Sequence, residues 1–267
     1  DDTYCVNEPI NHRAIFNGIL TGQCVEIGMY PKTIDGRSGI QGCNLTEING
    51  KYCVSEQSFY DSCRAASILG TLQAGYTKFN YLSKETKEIF EKEALLGVSL
   101  TGWMENPDIL FKEKVLKQGA EIVKETNRKV AKMIGINPAA RTCCVKPAGS
   151  TSCILETSSG IHPHHAKRYI RNVQANKNEF AVKYYKQVNP VAVEESVWSS
   201  NKTDDVISFC CEVPKGSILK NNINAIDFLN KIQFVQQNCV RTGNNKTLSL
   251  KDCDHNVSCT VVVKNDE

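Results

Sequence analysis

Leu95-Leu-Gly-Val-Ser-Leu100 is a short apolar run, and Thr142-Cys-Cys-Val145 is another. Between them Phe111, Val115, Gly119, Ile122, Thr126, Val130 and Met133 recur at intervals of three and four. The spacing predicts a strand, a long amphipathic helix and a second strand, with Gly135 placed to end the helix. The alternation continues in both directions. Phe59, Cys63, Ala66 and Leu72 predict a helix over 56–74, and Phe228, Ile232, Val235 and Cys239 predict one over 224–240. A shorter helix is expected at 84–94, and Val206 to Val213 and Asn256 to Val263 supply further strand-like runs. Apolar runs that alternate with helices suit a parallel sheet covered on both faces, or a barrel. The fold class is therefore α/β. No internal repeat is evident, and Lys177 to Lys202 mixes polar and helical signals without marking a linker, so one domain over 1–267 is expected.

The 267 residues are 41% apolar and 23% charged, an ordinary globular composition with material for a large core. No run of about 18 apolar residues is present, which excludes a helical membrane span. A net charge of +3 over 32 basic and 29 acidic residues leaves no basic footprint for nucleic acid. Beginning at Asp1 and stopping at Asn265-Asp266-Glu267 just after a valine run, the sequence reads as cut from something longer. Thirteen cysteines, an odd number, argue against a closed disulfide framework. Most are expected to be small buried hydrophobes, among them Cys210 and Cys211 in their apolar run. Asn-x-Ser/Thr triplets at Asn44, Asn201, Asn245 and Asn256 matter only in a secreted chain, and Asn256 opens a strand-like run. A reducing, cytoplasmic setting is expected.

Four stretches spend residues in ways a plain core does not need. In Gly22-Gln-Cys-Val-Glu-Ile-Gly28 a thiol and a carboxylate stand two apart, so an extended chain projects both to one side. By itself such a pair reads rather as a buried Cys beside a surface Glu. Ser38-Gly-Ile-Gln-Gly-Cys-Asn-Leu-Thr-Glu-Ile-Asn49 brings Cys43 in behind glycines that allow close backbone contact. Lys146-Pro-Ala-Gly-Ser-Thr-Ser152 follows a strand with a turn rich in hydroxyls and amides, which can cradle phosphate, or else is an ordinary capped loop. It is not a Walker sequence. Ser158 to Arg171 packs His162, His164 and His165 into four positions; with Pro163 between them and no Cys or carboxylate at ligand spacing, zinc is the minority reading. Arg168 and Arg171, three apart, face one anion or water.

Taken together and in this order, the stretches resemble the catalytic subunit of ribonucleotide reductase, closest to the adenosylcobalamin-dependent class. Cys24-Val-Glu26 resembles that family's finger-loop motif, and Gly42-Cys-Asn-Leu-Thr-Glu-Ile-Asn49 its strand with one of two reducing cysteines. Leu95 to Pro107 and His255-Asn-Val-Ser-Cys-Thr-Val261 are similar to barrel strands, and Lys146 to Ser152 to the substrate-phosphate loop. Ser159 to Arg171 favours the cobalamin class over the diiron class. The resemblance implies a ten-stranded α/β barrel of two halves, of which this chain would hold the finger loop and the second half. It implies Cys24 as the thiyl radical that takes the ribose 3′ hydrogen, and Glu26 as base on the 3′ hydroxyl. Cys43 would be one member of the reducing dithiol, and Ala148, Gly149, Ser150, Thr151 and Ser152 would hold the phosphates. The implied cofactor is adenosylcobalamin. The implied partners are a ribonucleotide, a thioredoxin-like or other dithiol reductant, and the missing barrel half.

The sequence departs from that pattern at several places. Gly22 stands where family members carry an Asn two positions before the radical cysteine. The partner of Cys43 would lie upstream, and Cys5 is too close to Cys24 to be taken for it. With the first barrel half and the C-terminal thiol tail outside the sequence, the fragment alone is expected to lack turnover and to need its missing half for stability. Two rival readings are a cysteine- and histidine-rich metal-binding module and a nucleotide-binding remnant without chemistry.

Overall fold

The structure, a computed structural model, describes residues 13–16, 19–22, 27–249 and 253–263; for 13–16, 19–22 and Ser150 it describes the backbone alone. These cluster into two compact units, the chain up to His164 together with that from Gly216, and His165–Lys215. No helix among them is long and apolar enough to cross a membrane.

The first unit opens with β1 (Arg13–Phe16) and β2 (Ile19–Gly22), an antiparallel pair. Its centre is a parallel ladder. β3 (Asn44–Asn49) leads into α1 (Glu56–Ala74) and α2 (Lys84–Glu93), and the chain returns as β4 (Leu96–Thr101), parallel to β3 with Leu45 opposite Gly97 and Glu47 opposite Ser99. After α3 (Pro107–Leu110) and α4 (Glu113–Ile134), residues 141–145 line the far side of β4, where the amides of Leu96 and Val98 donate to the Arg141 and Thr142 carbonyls at 3.0 and 2.8 Å. α5 (Gly149–Ile154) follows.

The helices begin where their caps dictate. The Ser55 and Ser83 hydroxyls accept the Ser58 and Thr86 amides at the starts of α1 and α2, satisfying donors that the first turn leaves over. Gly135, at φ 76°, ends α4 as its position in the sequence suggested. One face of the ladder (Ile48, Leu96, Val98, Leu100, Cys143 and Val145) packs with Phe59 and Cys63 of α1 and Val115 and Val123 of α4 into the main core. Each such side chain withdrawn from water stabilises the fold by about 1.5–3 kcal/mol.

The second unit is an antiparallel sheet of β5 (Arg168–Asn176), β6 (Val193–Glu195) and β7 (Asp204–Glu212), in the order β5-β7-β6, with α6 (Phe180–Val188) against it. Its core is small: Val182, Val193 and Ile207. Here two expectations are corrected. Val206 to Val213 is not a strand of the parallel sheet but the middle of this antiparallel one, because of its run only Ile207 and Val213 are buried, whereas a parallel strand is covered on both faces. Cys210 is exposed and Cys211 half-buried, since both lie beyond the reach of the small core.

In the first unit, α7 (Ala225–Val235), capped by Asn224, runs into a π-helical turn, Gln236–Val240. Residues 256–258 then close the ladder, with the Val145 amide donating to the Asn256 carbonyl at 3.1 Å and the Ser258 amide to the Val145 carbonyl at 2.8 Å. The fold is thus mixed α/β. The expected half-barrel has five strands; among the described residues the ladder has four segments, the last two joined by isolated bridges, Val98 to Cys143 and Val145 to Val257. Pro147 cannot donate to the ladder beyond Val145, and the Thr260 amide donates to His162 Nε2 instead of to a strand, which keeps both segments short.

Candidate active site

Alternation along each strand separates the ladder into two faces. The face away from the helical core carries Cys43, Leu45 and Glu47 from β3 and its approach, Gly97, Ser99 and Thr101 from β4, and Cys144 and Lys146 from the third segment. Its side chains are mostly polar, and they range from half-buried to buried. Ser99 Oγ donates to Glu47 Oε1 at 3.1 Å, the Lys146 amide donates to Ser99 Oγ at 3.4 Å, and Lys146 Nζ lies 3.9 Å from Glu47 Oε2. The Glu47 and Lys146 side chains keep only 10% and 15% of their exposure, so their charges interact with little screening by water. Cys43 is half-buried, and burial pushes its thiol up to about 12, with Arg141 opposing the shift. Burial likewise drives the Cys144 thiol well above its ordinary range.

The third predicted stretch lies at the end of the same ladder. The Ala148 amide donates to Ser159 Oγ at 2.9 Å and Ser152 Oγ to the Gly149 carbonyl at 2.8 Å, while Gly149 is exposed with open space where a side chain would be. The first-turn amides of α5 have no acceptor within the helix, so Gly149, Ser150 and Thr151 present N–H groups that suit an anion. Thr101 ties this loop to β4, donating to the Ser158 carbonyl at 2.7 Å and accepting from the Gly160 amide at 2.9 Å.

The histidines take separate roles. His162 Nε2 accepts from the Thr260 amide at 2.8 Å, so Nδ1 carries the proton and donates to the Ser159 carbonyl at 2.7 Å. His164, buried, pairs through Nε2 with buried Glu105 at 2.8 Å, and the Ser158 amide donates to the same carboxylate oxygen at 2.8 Å. In the second unit the His165 ring packs on Tyr169 at 4.3 Å. Among the described residues no group of His, Cys, Asp or Glu is arranged to hold a metal ion. Arg168 bonds Glu212 and Arg171 reaches the Tyr169 hydroxyl; three apart on a strand, they point to opposite faces.

Cys24 and Glu26, like Cys5, lie outside the described residues. Cys43 and the loop from Ala148 to Ser152 are placed on the first unit, though the Ser150 side chain is not described. The chain just after Glu26 is placed: the Gly28 amide donates to Asn256 Oδ1 at 2.6 Å, beside the last ladder segment. Glu47, Ser99 and Cys144 escaped the sequence reading. The even spacing from Cys43 to Glu47 is the signal that could have found the first of them, since it puts both on one face of a strand.

No family model matches the chain. The ribonucleoside-diphosphate reductase large subunit of Invertebrate iridescent virus 6 is 28% identical over 233 residues, which are 75% of this chain and 23% of that protein. An adenosylcobalamin-dependent ribonucleoside-triphosphate reductase of Lactobacillus acidophilus is 24% identical over 257 residues, 84% of this chain and 32% of that protein. A crystal structure of a B12-dependent (class II) ribonucleotide reductase shares the fold, with a TM-score of 0.61 and 16% identity over 81% of this chain and 32% of its own. The chain thus spans about a quarter to a third of the curated relatives it matches.

Proposed function

We infer that this chain, related over part of their length to the catalytic subunits of ribonucleotide reductases, carries out the central part of their reaction, the reduction of a ribonucleotide to a deoxyribonucleotide. One observation carries the reading: Cys43, on the polar face of the ladder, and the loop from Lys146 to Ser152, at its end, belong to one rigid frame. Cys144, which converges with Cys43 over Gly97, is only four residues from Ala148, within about 14 Å along an extended chain. A sugar held by its phosphates at the loop would have its ring near the thiols.

In this reading residues 1–267 belong to one catalytic barrel domain, the second half with its finger loop. Gly28, which follows Glu26 by two positions in the sequence, is bonded to Asn256 beside the last ladder segment. Cys24 as a thiyl takes the 3′ hydrogen atom, and Glu26 accepts the proton of the 3′ hydroxyl. Carbon 2′ gains a hydrogen as its hydroxyl leaves as water, and the two electrons come from two thiols, one of them Cys43, which become a disulfide. A dithiol reductant of the thioredoxin type then restores them. The amides of Gly149, Ser150 and Thr151 and the Thr151 hydroxyl hold the phosphates, while Ser152, bonded to the Gly149 carbonyl, braces the turn; the fixed sugar and an enclosed site protect the radical from quenching.

Adenosylcobalamin, named by the Lactobacillus relative, would supply the radical through its cobalt–carbon bond. The polar face offers such a group one wall, with Cys43 in it. A second wall has to come from the missing barrel half, so the described residues do not hold the cofactor by themselves.

The test is reconstitution. The chain, co-expressed with the upstream barrel half of the Lactobacillus relative and supplied with adenosylcobalamin and a dithiol, is expected to convert ribonucleoside di- or triphosphate, and Cys24→Ser to abolish conversion. Conversion that survives Cys24→Ser overturns the radical assignment.

A further inference from the structure

The helix-facing side of the ladder holds a second group of thiols that the proposed reaction does not use. Cys143, in the third segment, is 2% exposed, and Cys239 stands in the π-helical turn after α7, half-buried. Both side chains line the same small cavity under the ladder. Their backbones are held together from both sides. Thr142 Oγ1 donates to the Gly243 carbonyl at 2.8 Å, the Gly243 amide donates to the Cys239 carbonyl at 2.9 Å, and Arg141 bridges Asn244. Gly243 comes so close that a Cβ there would lie 2.8 Å from both Cβ and Sγ of Cys143. The turn 239–243 is therefore seated directly on residues 141–143.

We propose that Cys143 and Cys239 are an oxidation-sensitive dithiol, converted by a peroxide-class oxidant to a disulfide that links the third ladder segment to the π-helical turn. The pair lines a cavity of about 20 Å³, space for one water-sized molecule, and Cys239 is the less buried of the two. Cys143 sulfur attacks the peroxide, the O–O bond breaks, and one oxygen leaves as water while the other stays as the sulfenic acid. Cys239 sulfur then attacks that sulfur, the S–S bond forms, and the second oxygen leaves as water. Two electrons pass from the sulfurs to the peroxide, and the two thiol protons go to the water formed. Contact with Cys239 holds the Cys143 thiol below its ordinary range, and contact with Cys143 and burial drive Cys239 above it. Cys144 is excluded as the partner because it projects to the other face, toward Gly97.

This inference rests on the core alone and stands whether or not the chain reduces nucleotides. The full 267-residue chain is treated with hydrogen peroxide, alkylated without reduction and digested with trypsin. The peptide beginning at Thr142 is expected to be linked to the one spanning 232–241, the thermal midpoint to rise, and dithiothreitol to reverse both. Cys143→Ser and Cys239→Ser are expected to abolish the link and Cys144→Ser to keep it. Should the serine variants fail to fold, differential alkylation of the unsubstituted chain before and after peroxide decides instead, with Cys143 and Cys239 losing reactivity together. A link from either residue to Cys63 or Cys144, or peroxide consumption that leaves both thiols free, overturns the proposal.

Discussion

Cys43 and Cys144 approach the same point from opposite sides of β4: a Cβ on Gly97 would stand 2.7 Å from one sulfur and 3.0 Å from the other, with Leu45 Cδ2 at 2.5 Å. Only a residue without a side chain lets both thiols lie over the middle strand. Gly97→Ala is therefore expected to push both sulfurs and Leu45 aside, at a cost of about 1–3 kcal/mol in urea unfolding. An unchanged midpoint would mean that the polar face is looser than described.

Arg141 and Glu93 make a buried ion pair at 3.0 Å, exposed by 1% and 4%, and Gln41 donates to the same carboxylate oxygen at 2.6 Å. Removing one partner strands a charge away from water. Arg141→Met should destabilise the chain by about 3–5 kcal/mol, and adding Glu93→Met should recover part of that loss. Additive losses in the double variant would show the pair to be uncoupled.

His255 is 1% exposed, and neither ring nitrogen has a hydrogen-bond partner among the described residues. Burial, and then the neighbouring Arg141 charge, lower its pKa from 6.5 to about 3, although the Cys143 backbone opposes the shift. Between those values the unfolded chain takes up a proton that the folded chain refuses. Stability from this residue is thus complete above pH 6.5 and falls as the pH drops toward 3, by at most about 1.4 kcal/mol per unit. His255→Phe should flatten denaturation midpoints across that window; a slope identical to the parent's would assign it to other groups.

Thiol alkylation at pH 8 should rank the cysteines. Among the described cysteines Cys210, exposed, is expected to react first. Burial raises Cys53 and Cys259 to about 11 and Cys43 to about 12, leaving roughly 10⁻³ to 10⁻⁴ of each as thiolate. Mass mapping over time should find them at least a hundredfold slower, and Cys43 labelled as fast as Cys210 would contradict its placement.

Much of the first unit is legible in the sequence because its helices pair strong periodicity with side-chain caps: Ser55 and Ser83 start α1 and α2, and Gly135 stops α4. The second unit is not. Its strands have polar residues on one side and a core of a few apolar ones on the other, so Val206 to Val213 gives the same local signal as a buried parallel strand. Pairing of β5 with β7 depends on partners 28 and more residues away, such as Asn176 opposite Asp204, and no local pattern encodes it. The site divides similarly. Cys43 and the Lys146 to Ser152 loop announce themselves by glycine and hydroxyl context, whereas Cys144, Glu47 and Ser99 look like ordinary strand residues until the register puts them on one face.

The clasp between Gly28 and Asn256 joins positions 228 residues apart. Closing so long a loop costs about 5 kcal/mol of chain entropy, while one such bond returns about 1 kcal/mol. The bond depends on the ladder, which holds Asn256 in its neighbourhood. The clasp is therefore a product of the framework and not its cause, since one bond offsets only a small part of the entropy of the loop it closes.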